Sequence, residues 1–328
     1  MRIDRAALKP EIVMLVLLAL ESTCVPAEGG YRVRGHEPFY QSEQRNIERL
    51  IAESGAETVA VAFCDLATGQ QLLIKPDDNF HAASTMKVPV MLEVFKQAAA
   101  HNLSLDDRIP VKNEFLSIVD GSRYSLSPES DSDSTLYKRI GQLETIRELL
   151  RLMIDVSSNL AANLLIEQVT PERVMETMRE IGARNIRVLR GVEDGKAFQK
   201  GLNNTTTARD LMVILRQIAE RRAVSAKASQ AMIDVMLDQK FNEGIPAGLP
   251  KEVRVAHKTG SITGINHDAA IVYPPGRKPY VLVVLTRGLT DERKAQTLIM
   301  EISREVFRSL RKSEVRSQRS SQKSESDL

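Results

Sequence analysis

The chain has 328 residues, of which 42% are hydrophobic and 27% are charged, and its formal net charge is +2. This length is enough for one large domain with a sizeable core, and the small net charge excludes the strong basic field typical of nucleic-acid-binding proteins. With six Tyr, eight Phe and no Trp, the chain also lacks stacking platforms for polysaccharide or single-stranded nucleic acid.

Cysteine and histidine usage gives no sign of a metal or redox centre. The two cysteines, Cys24 and Cys64, form no CxxC pair, and the five histidines are scattered without an HExxH motif. A disulfide framework and a zinc site are therefore not predicted. We expect the protein to need no metal and no cofactor.

The N-terminus contains one apolar run, residues 12–20, which follows basic residues and precedes the small-residue sequence VPA at 25–27. This order predicts a signal peptide over residues 1–27 and a secreted or periplasmic location. The alternative is a buried N-terminal helix. The run is too short for a stable membrane span, and the polar residues before Cys24 are unlike those that precede a lipoprotein cysteine.

Secondary-structure signals begin with an opening helix over residues 41–54 and a β-hairpin around a turn at 65–69. The pattern is then mostly helical from about 84 to 222. The predicted helical stretches lie near 86–100, 143–155, 158–168, 171–181 and 207–221. Between 104 and 140 the chain is rich in Ser, Asp and Pro, which predicts surface loops.

Strand signals return late in the chain. The segments RVAHKTGSI, DAAIVYPP and YVLVVLTRG predict three strands, separated by turns at 263–264 and 274–276. An amphipathic closing helix follows over residues 291–312. The polar tail, residues 313–328, is expected to be disordered because it has few apolar residues to bury.

Strands at both ends of the chain around a helical block predict an α+β fold, in which an antiparallel sheet is flanked by helices and carries an inserted all-helical lobe. We expect a single domain over residues 41–312. Its α/β lobe would consist of 41–83 and 222–312, and its helical lobe of 84–221. The expected active site is the cleft between the lobes.

The first candidate motif, Ser84-Thr85-Met86-Lys87, lies where the hairpin gives way to a helix, so its serine and lysine lie one turn apart. A serine hydroxyl is a weak nucleophile at neutral pH, and a lysine with a lowered pKa can take its proton. At a helix start, the serine N–H can also bind a developing oxyanion. The alternative is a helix cap, and Pro89 indicates that the helix begins irregularly.

Two further motifs follow the first. SSN, residues 157–159, lies at a predicted junction between two helices, where the alternative interpretation is an N-cap run. KTGS, residues 258–261, lies on a predicted strand. There, Lys and Thr can bind a substrate carboxylate while the substrate backbone pairs with the strand edge; the alternative is a strand that runs into a turn.

The three motifs occur in order, each on the kind of element that its chemistry requires, and Ser157 follows Ser84 by 73 residues while Lys258 follows Ser157 by 101. The sequence SSNLAANLLIEQVTPERV also looks like the helix after the second motif in class A enzymes. The chain therefore resembles the penicillin-recognising serine enzymes, and class A β-lactamases in particular, over residues 41–312. The resemblance implies a β-lactamase/transpeptidase-like fold.

The resemblance also implies catalytic roles. Ser84 would be acylated, Lys87 would assist proton transfer, and Ser157 would pass a proton to the leaving nitrogen. The backbone N–H groups of Ser84 and Ser261 would form the oxyanion hole. The chain departs from class A enzymes at Ser158, where they usually have Asp, although the looser SxN form is shared across penicillin-binding proteins.

Substrate binding would fall to the remaining residues of the second and third motifs. Asn159 would hold the substrate's side-chain amide, and Lys258 and Thr259 would anchor its carboxylate. Gly260 and Ser261 would complete the substrate-binding strand, and Ser261 would also contribute to the oxyanion hole. The implied partner is a small molecule, a β-lactam or a peptidoglycan-like substrate, bound by a monomer.

In class A enzymes a glutamate in the loop between the second and third motifs activates the deacylating water, and the candidate here is Glu193 in RGVEDGKAF. The alternative is a solvated loop carboxylate. The family's following residues include a proline and a water-holding asparagine, whereas this chain has Asp194 and Ala197. Asn203 or Asn204 is a candidate to replace that asparagine.

The function predicted from these residues is β-lactam hydrolysis through an acyl-enzyme on Ser84, which would give antibiotic resistance. A penicillin-binding D,D-peptidase or an esterase of the same fold is the alternative, because the members of this group differ in how quickly water removes the acyl group. A non-catalytic cell-wall binding protein is an alternative of another class. It is disfavoured because a pure binder does not need Ser84, Lys87, Ser157 and Lys258 together.

Overall fold

The structure is a computed structural model that describes the backbone of residues 40–326 and the side chains of residues 42–312. The predicted signal peptide, residues 1–27, and Cys24 lie outside the described residues. Cys64 is buried and has a free thiol. In the part of the chain that is described, no helix is both long enough and apolar enough to cross a membrane.

Helices make up much of the described chain, and most of them match the helical stretches expected from the sequence. They are α1 (Tyr40–Ser54), α2 (Lys87–Ala99), α3 (Ile146–Asp155), α4 (Asn159–Val169), α5 (Pro171–Glu180), α6 (Gly195–Gln199), α7 (Ala208–Ala219), α8 (Ala226–Leu237) and α9 (Glu292–Ser326). Side-chain caps fix several helix starts. The Thr145 hydroxyl, for example, accepts the Glu148 N–H at the start of α3.

A five-stranded antiparallel sheet lies at the centre of the fold. Its strands are β1 (Thr58–Asp65), β2 (Gln71–Ile74), β9 (Arg254–Ile262), β10 (Ile265–Tyr273) and β11 (Tyr280–Arg287). Their order is β2-β1-β11-β10-β9, so the N-terminal hairpin and the late strands share one sheet. The predicted antiparallel sheet is confirmed, and β9 is one of its two edge strands. Two short strands, β3 (Phe80–His81) and β8 (Thr205–Thr206), form a separate pair.

Both faces of the sheet are covered by helices, which explains why β1 is buried at every position. The odd-numbered residues from Val59 to Phe63 belong to a cluster with α1 and α9. The even-numbered residues from Ala60 to Cys64 belong to a larger cluster with α2, α3, α4 and α7. Because successive strand residues point to opposite faces, this strand reads as a continuous apolar run and not as an alternating one.

Helix α8 is an element that the sequence analysis missed, since the helical lobe was expected to end at residue 221. The Ser225 hydroxyl caps this helix by accepting the Ala228 N–H at 3.1 Å. Met232, Ile233 and Met236 form its buried side, and the helix packs on α2, α3, α7 and β9. Its larger apolar residues, 232, 233 and 235–237, are crowded into its C-terminal half, so the sequence shows no apolar stripe along the whole helix.

The segment 104–140, expected to be surface loop, is more ordered than its composition suggests. It contains β4 (Arg108–Pro110), β5 (Phe115–Leu116), β6 (Arg123–Tyr124) and a 3₁₀ turn (Leu136–Arg139), and β4 pairs with β7 (Leu143–Thr145) while β5 pairs with β6. Val111, Phe115, Leu126 and Leu136 are buried in the larger core. Isolated apolar residues at irregular spacing therefore anchor this segment.

The end of the chain also differs from the sequence-based expectation. Disorder was expected from residue 313, whereas α9 continues to Ser326. Residues 313–326 contain no Gly or Pro and are rich in Gln, Arg, Lys, Glu and Ser. Helix propensity therefore allows the helix to extend beyond its apolar part.

Gly248→Ala is expected to destabilise this fold by about 2 kcal/mol, the usual scale of overpacking. A Cβ at Gly248 would lie 2.3 Å from the carbonyl oxygen of Met300 and 2.9 Å from the backbone nitrogen of Arg304. Backbone atoms of α9 cannot move away as a side chain can. Urea denaturation measures the change, with Gly195→Ala as the control because nothing lies within 4 Å of its Cβ. Equal stability of the two variants would contradict the close packing.

Candidate active site

The predicted nucleophile, Ser84, lies on a 3₁₀ turn (Ala83–Met86) that leads directly into α2. Pro89 is the third residue of α2, where a missing N–H costs no helix hydrogen bond, so the expected irregular start is confirmed. Ser84 is half-buried and lines a cleft together with Ser157, Asn159 and Thr259. All three motifs therefore meet in one cleft.

The backbone immediately before Ser84 is strained and supported. Ala83 has a φ of 45°, a conformation that non-glycine residues rarely adopt. His81 Nδ1 accepts the Ala83 N–H at 3.1 Å, which requires an unprotonated ring nitrogen. Burial, together with the charge of Arg190, lowers the pKa of His81, so this acceptor is available at neutral pH.

Lys87 is fully buried and donates to three oxygens of the second motif. Its Nζ lies 2.6 Å from the Ser157 carbonyl oxygen, 3.2 Å from Ser157 Oγ and 2.8 Å from Asn159 Oδ1. Burial lowers the pKa of Lys87 to about 7, against the opposing charges of Asp131 and Glu193. A lysine of this pKa is partly neutral at physiological pH and can accept a proton from a nearby hydroxyl.

Ser157 receives hydrogen bonds from two lysines. It lies between α3 and α4 with a φ of 59°, and its Oγ accepts from Lys87 Nζ at 3.2 Å and from Lys258 Nζ at 3.0 Å. A hydroxyl has two acceptor sites and one proton. With both acceptor sites occupied, the Ser157 proton is directed to a third partner, as proton transfer to a leaving group requires.

The third motif lies on β9, as predicted, with its outer edge unpaired in the described sheet. Lys258 is fully buried, and burial together with the Lys87 charge lowers its pKa well below the usual value. Gly260 lies so close to the nucleophile turn that a Cβ there would be 3.1 Å from the backbone nitrogens of Ser84 and Thr85. The strand therefore lies directly against the turn that carries Ser84.

Glu193 lies beside this cluster, in the loop before α6. Its Oε1 accepts from Asn159 Nδ2 at 3.0 Å, while the opposite end of the same amide accepts from Lys87. The loop is tied to α4 by Asn163, whose Oδ1 accepts the Val192 N–H at 2.6 Å and whose Nδ2 donates to the Val192 carbonyl at 3.1 Å. These contacts link the Glu193 carboxylate to Lys87 through the side chain of Asn159.

Asp194 and Ala197, where this chain departs from the family pattern, fix the same loop. The Asp194 carboxylate accepts the Ala197 N–H at 3.0 Å and caps α6. It also accepts the Ser117 hydroxyl at 2.9 Å and the Ile118 N–H at 3.0 Å. The Glu193 loop is thus attached to the segment between β5 and β6.

Asn203 and Asn204 do not take the place of the family's water-holding asparagine. Asn204 Oδ1 accepts the Leu189 N–H at 2.8 Å, and its Nδ2 donates to the Arg190 carbonyl at 2.9 Å. Asn203 Oδ1 accepts from Arg190 Nη2 at 3.1 Å. Both amides are bound to the loop's own backbone or to Arg190, so this sequence-based suggestion was wrong.

The sequence analysis missed two residues that contact the second motif, Asp131 and Ser132. The Asp131 carboxylate accepts the Asn159 N–H at 2.9 Å, and the Ser132 hydroxyl donates to the Ser157 carbonyl at 3.1 Å. Both belong to the segment interpreted as surface loop. A loop rich in Ser and Asp carries no sequence signal that shows which of these residues turns inward.

A serine at a strained turn, a buried lysine of lowered pKa three residues further along the chain, and a second serine that accepts from two lysines define a serine hydrolase that works by acyl transfer. Comparisons with known proteins agree with this class. The model of a family described as the beta-lactamase enzyme family matches residues 43–310. The chain therefore belongs to that family, and it is a serine β-lactamase-type hydrolase.

Individual relatives show how far the similarity extends. A beta-lactamase of Bacillus licheniformis is 28% identical over 297 residues, which cover 87% of each chain. An ancestral class A beta-lactamase structure has a TM-score of 0.71 at 28% identity, covering 81% of this chain and 99% of that one. The acyl-enzyme complex of a PBP-A mutant with penicillin G has a TM-score of 0.71 at 25% identity, with 83% and 97% covered.

The acylation rate is expected to rise with pH through about 7 and then to level off, because only neutral Lys87 can accept the serine proton. The pKa of Lys87 is lowered from its ordinary 10.5 to about 7, so the amine is neutral in a range where an exposed lysine is charged. Burst-phase kinetics between pH 5 and 9 measure this rise of the acylation rate, the acid limb of its pH profile. A rate that falls or stays constant over that range would contradict the assignment of the base.

Gly260→Ala is expected to lower kcat/KM by about 100-fold, the usual effect of losing one oxyanion donor. The added Cβ would crowd the backbone nitrogens of Ser84 and Thr85 at 3.1 Å and displace the Ser84 N–H, which is predicted to bind the oxyanion. Steady-state kinetics give the effect, and Ile262→Ala, at the exposed end of the same strand, is the control. Wild-type kinetics in Gly260→Ala would show that this N–H is not used.

Proposed function

We propose that this protein hydrolyses the amide bond of β-lactams through an acyl-enzyme on Ser84, and that Glu193 activates the water that releases the product. One observation carries the proposal: the Asn159 side chain joins Lys87 on one side, at 2.8 Å, to Glu193 on the other, at 3.0 Å. The residue suited to form the acyl-enzyme and the residue suited to clear it are thus held by a single amide.

Acylation follows from the contacts of the two serines. Lys87 takes the hydroxyl proton of Ser84 as its oxygen attacks the lactam carbonyl, and the oxyanion is held by the N–H groups of Ser84 and Ser261. Ser157, whose acceptor sites are filled by Lys87 and Lys258, donates its proton to the lactam nitrogen. The carbon–nitrogen bond breaks, and the proton on Lys87 returns to Ser157.

Deacylation requires a base that activates a water molecule for attack on the ester. Glu193 takes a proton from water as the water oxygen attacks the acyl carbon, the ester bond to Ser84 breaks, and the Ser84 oxygen regains the proton that Glu193 had taken. The carboxylate that the substrate carries would meet Lys258 and Thr259 at the strand edge. The relation to a PBP-A variant described as an acyl-enzyme with penicillin G supports a covalent intermediate on this fold.

We also propose that the protein acts as a monomer outside the cytoplasmic membrane and gives resistance to β-lactam antibiotics. The apolar run at residues 12–20 and the VPA sequence at 25–27 support export. Expression in a susceptible bacterium, followed by N-terminal sequencing of the exported protein, tests this part. Retention of residues 1–27 or unchanged drug susceptibility would contradict it.

Two alternatives predict different fates of the adduct. A D,D-peptidase or an esterase of this fold would use the same Ser84 and Lys87 but would clear a β-lactam adduct slowly or not form it. A non-catalytic cell-wall binding protein would form no covalent adduct at all. The favoured hydrolysis rests on Glu193, since a carboxylate bonded to Asn159 has no evident use in a binder.

Time-resolved mass spectrometry with a penicillin and a chromogenic cephalosporin is the test. In the parent we expect an adduct on Ser84 that forms and clears, and in Ser84→Ala no adduct. In Glu193→Gln the adduct should persist, with deacylation slowed at least about 100-fold, the usual effect of losing a general base.

The matched control is Glu252→Gln, an exposed acid before β9, which should clear the adduct at the parent rate. An adduct that never clears in the parent would identify a penicillin-binding peptidase. The absence of an adduct from both substrates in the parent would overturn the proposal and direct attention to other esters and amides. Rapid clearance in Glu193→Gln would show that another group activates the water.

A further inference from the structure

The carboxylate of Asp131 holds the start of α4 through hydrogen bonds to both of its oxygens. Its Oδ1 accepts the Asn159 N–H at 2.9 Å, and its Oδ2 accepts the Leu160 N–H at 2.9 Å and the Tyr137 hydroxyl at 2.9 Å. The Asp133 N–H also donates to Oδ1, at 3.2 Å. These bonds fix the carboxylate from both the loop and the helix.

The neighbouring residue extends the same contact. Ser132 donates its hydroxyl proton to the Ser157 carbonyl at 3.1 Å, and that carbonyl also accepts from Lys87 Nζ at 2.6 Å. Two consecutive residues of one loop therefore contact the second motif at both Ser157 and Asn159. Lys87 donates its hydrogen bonds to these same two residues.

The second motif itself provides no charge at this point. Ser158 is a neutral residue whose Oγ accepts the Ala161 N–H at 3.3 Å and so caps α4 locally. The start of a helix favours a negative charge because its N–H groups carry partial positive charge. Asp131 supplies this charge from a distant part of the chain. Its carboxylate accepts the backbone N–H of Asn159, whose side-chain oxygen accepts from Lys87.

We propose that Asp131 is a positioning residue for acylation: it holds the Ser157–Asn159 backbone against Lys87 and contributes negative charge that tunes the proton affinity of this base. The inference rests on the proposed function only because the acylation rate is one of its two measurements. The other measurement is the titration of Lys87 itself. Asp131 touches no reacting atom, so its effect passes through Asn159 and Lys87.

Among residues 42–312, four charged or titratable groups bear on this base. Lys258 on β9 shares the Ser157 hydroxyl with Lys87, Glu193 bonds Asn159 from the loop before α6, and Asp131 bonds the Asn159 backbone. Tyr137 faces Asp131, and its pKa is raised by burial and by this hydrogen bond, so it stays neutral. Asp131 and Glu193 raise the pKa of Lys87 against the larger effect of burial.

Asp131→Asn is the direct test, because the amide keeps one acceptor for the helix N–H groups and removes the charge. We expect the acid limb of the acylation rate to shift by about one pH unit to lower pH, a tenfold increase in the acid dissociation constant of Lys87. The plateau rate should also fall, since Asn159 loses part of its support. The same shift should appear in the ¹³Cε resonance of Lys87 in lysine-labelled protein, assigned with Lys87→Arg.

Tyr137→Phe is the matched control, because it removes one hydrogen bond to Asp131 and keeps the charge; its acid limb should stay at the parent position. If Asp131→Asn does not fold, Asp131→Ser repeats the test with a small acceptor and no charge. An unchanged titration of Lys87 in the neutral variant, with only a lower melting temperature, would reduce Asp131 to a helix cap and overturn the proposal. The absence of a Ser84 adduct in the parent would instead overturn the proposed function. The resonance titration of Lys87 does not depend on that adduct, so it separates the failure of the proposed function from the failure of this inference.

Discussion

Two buried lysines converge on the hydroxyl of Ser157, and the rest of the site depends on this contact. Taking two ammonium groups out of water is costly unless they are hydrogen-bonded or one of them loses its proton. The protein does both: the lysines share an oxygen at 3.2 and 3.0 Å, and burial lowers the pKa of each. The same desolvation that makes the pair unfavourable as two cations produces a base at neutral pH.

This contact is possible only because the fold brings three distant segments together. Lys87 comes from the start of α2, Ser157 from the junction between α3 and α4, and Lys258 from the edge strand β9. Helices cover both faces of the sheet, and β9 packs against α8 and against the turn that carries Ser84. Gly260 then permits the close approach of this strand to Ser84, where a side chain would meet backbone nitrogens at 3.1 Å.

Negative charge around Lys87 comes from loops and not from the motifs. Glu193 and Asp131 both bind Asn159, Glu193 through the side chain and Asp131 through the backbone N–H. Asp194 fixes the first loop through Ser117 and Ile118. Members of this enzyme group differ in how fast the acyl group leaves, so the residues that separate a hydrolase from a peptidase would lie in the parts of the chain with the weakest sequence signal.

The sequence by itself determined the antiparallel sheet, most helices and the three motifs, because apolar periodicity and short local patterns report on local structure. It missed α8, whose larger apolar residues are crowded into one half of the helix. It also interpreted 104–140 as surface loop, although four side chains of this segment are buried in the core. It proposed Asn203 and Asn204 for a role they do not take, since both bind the loop near Arg190. Only the tertiary structure decided that Asp131 and Glu193 meet at Asn159, because contacts between residues far apart in the chain depend on packing, which no local pattern encodes.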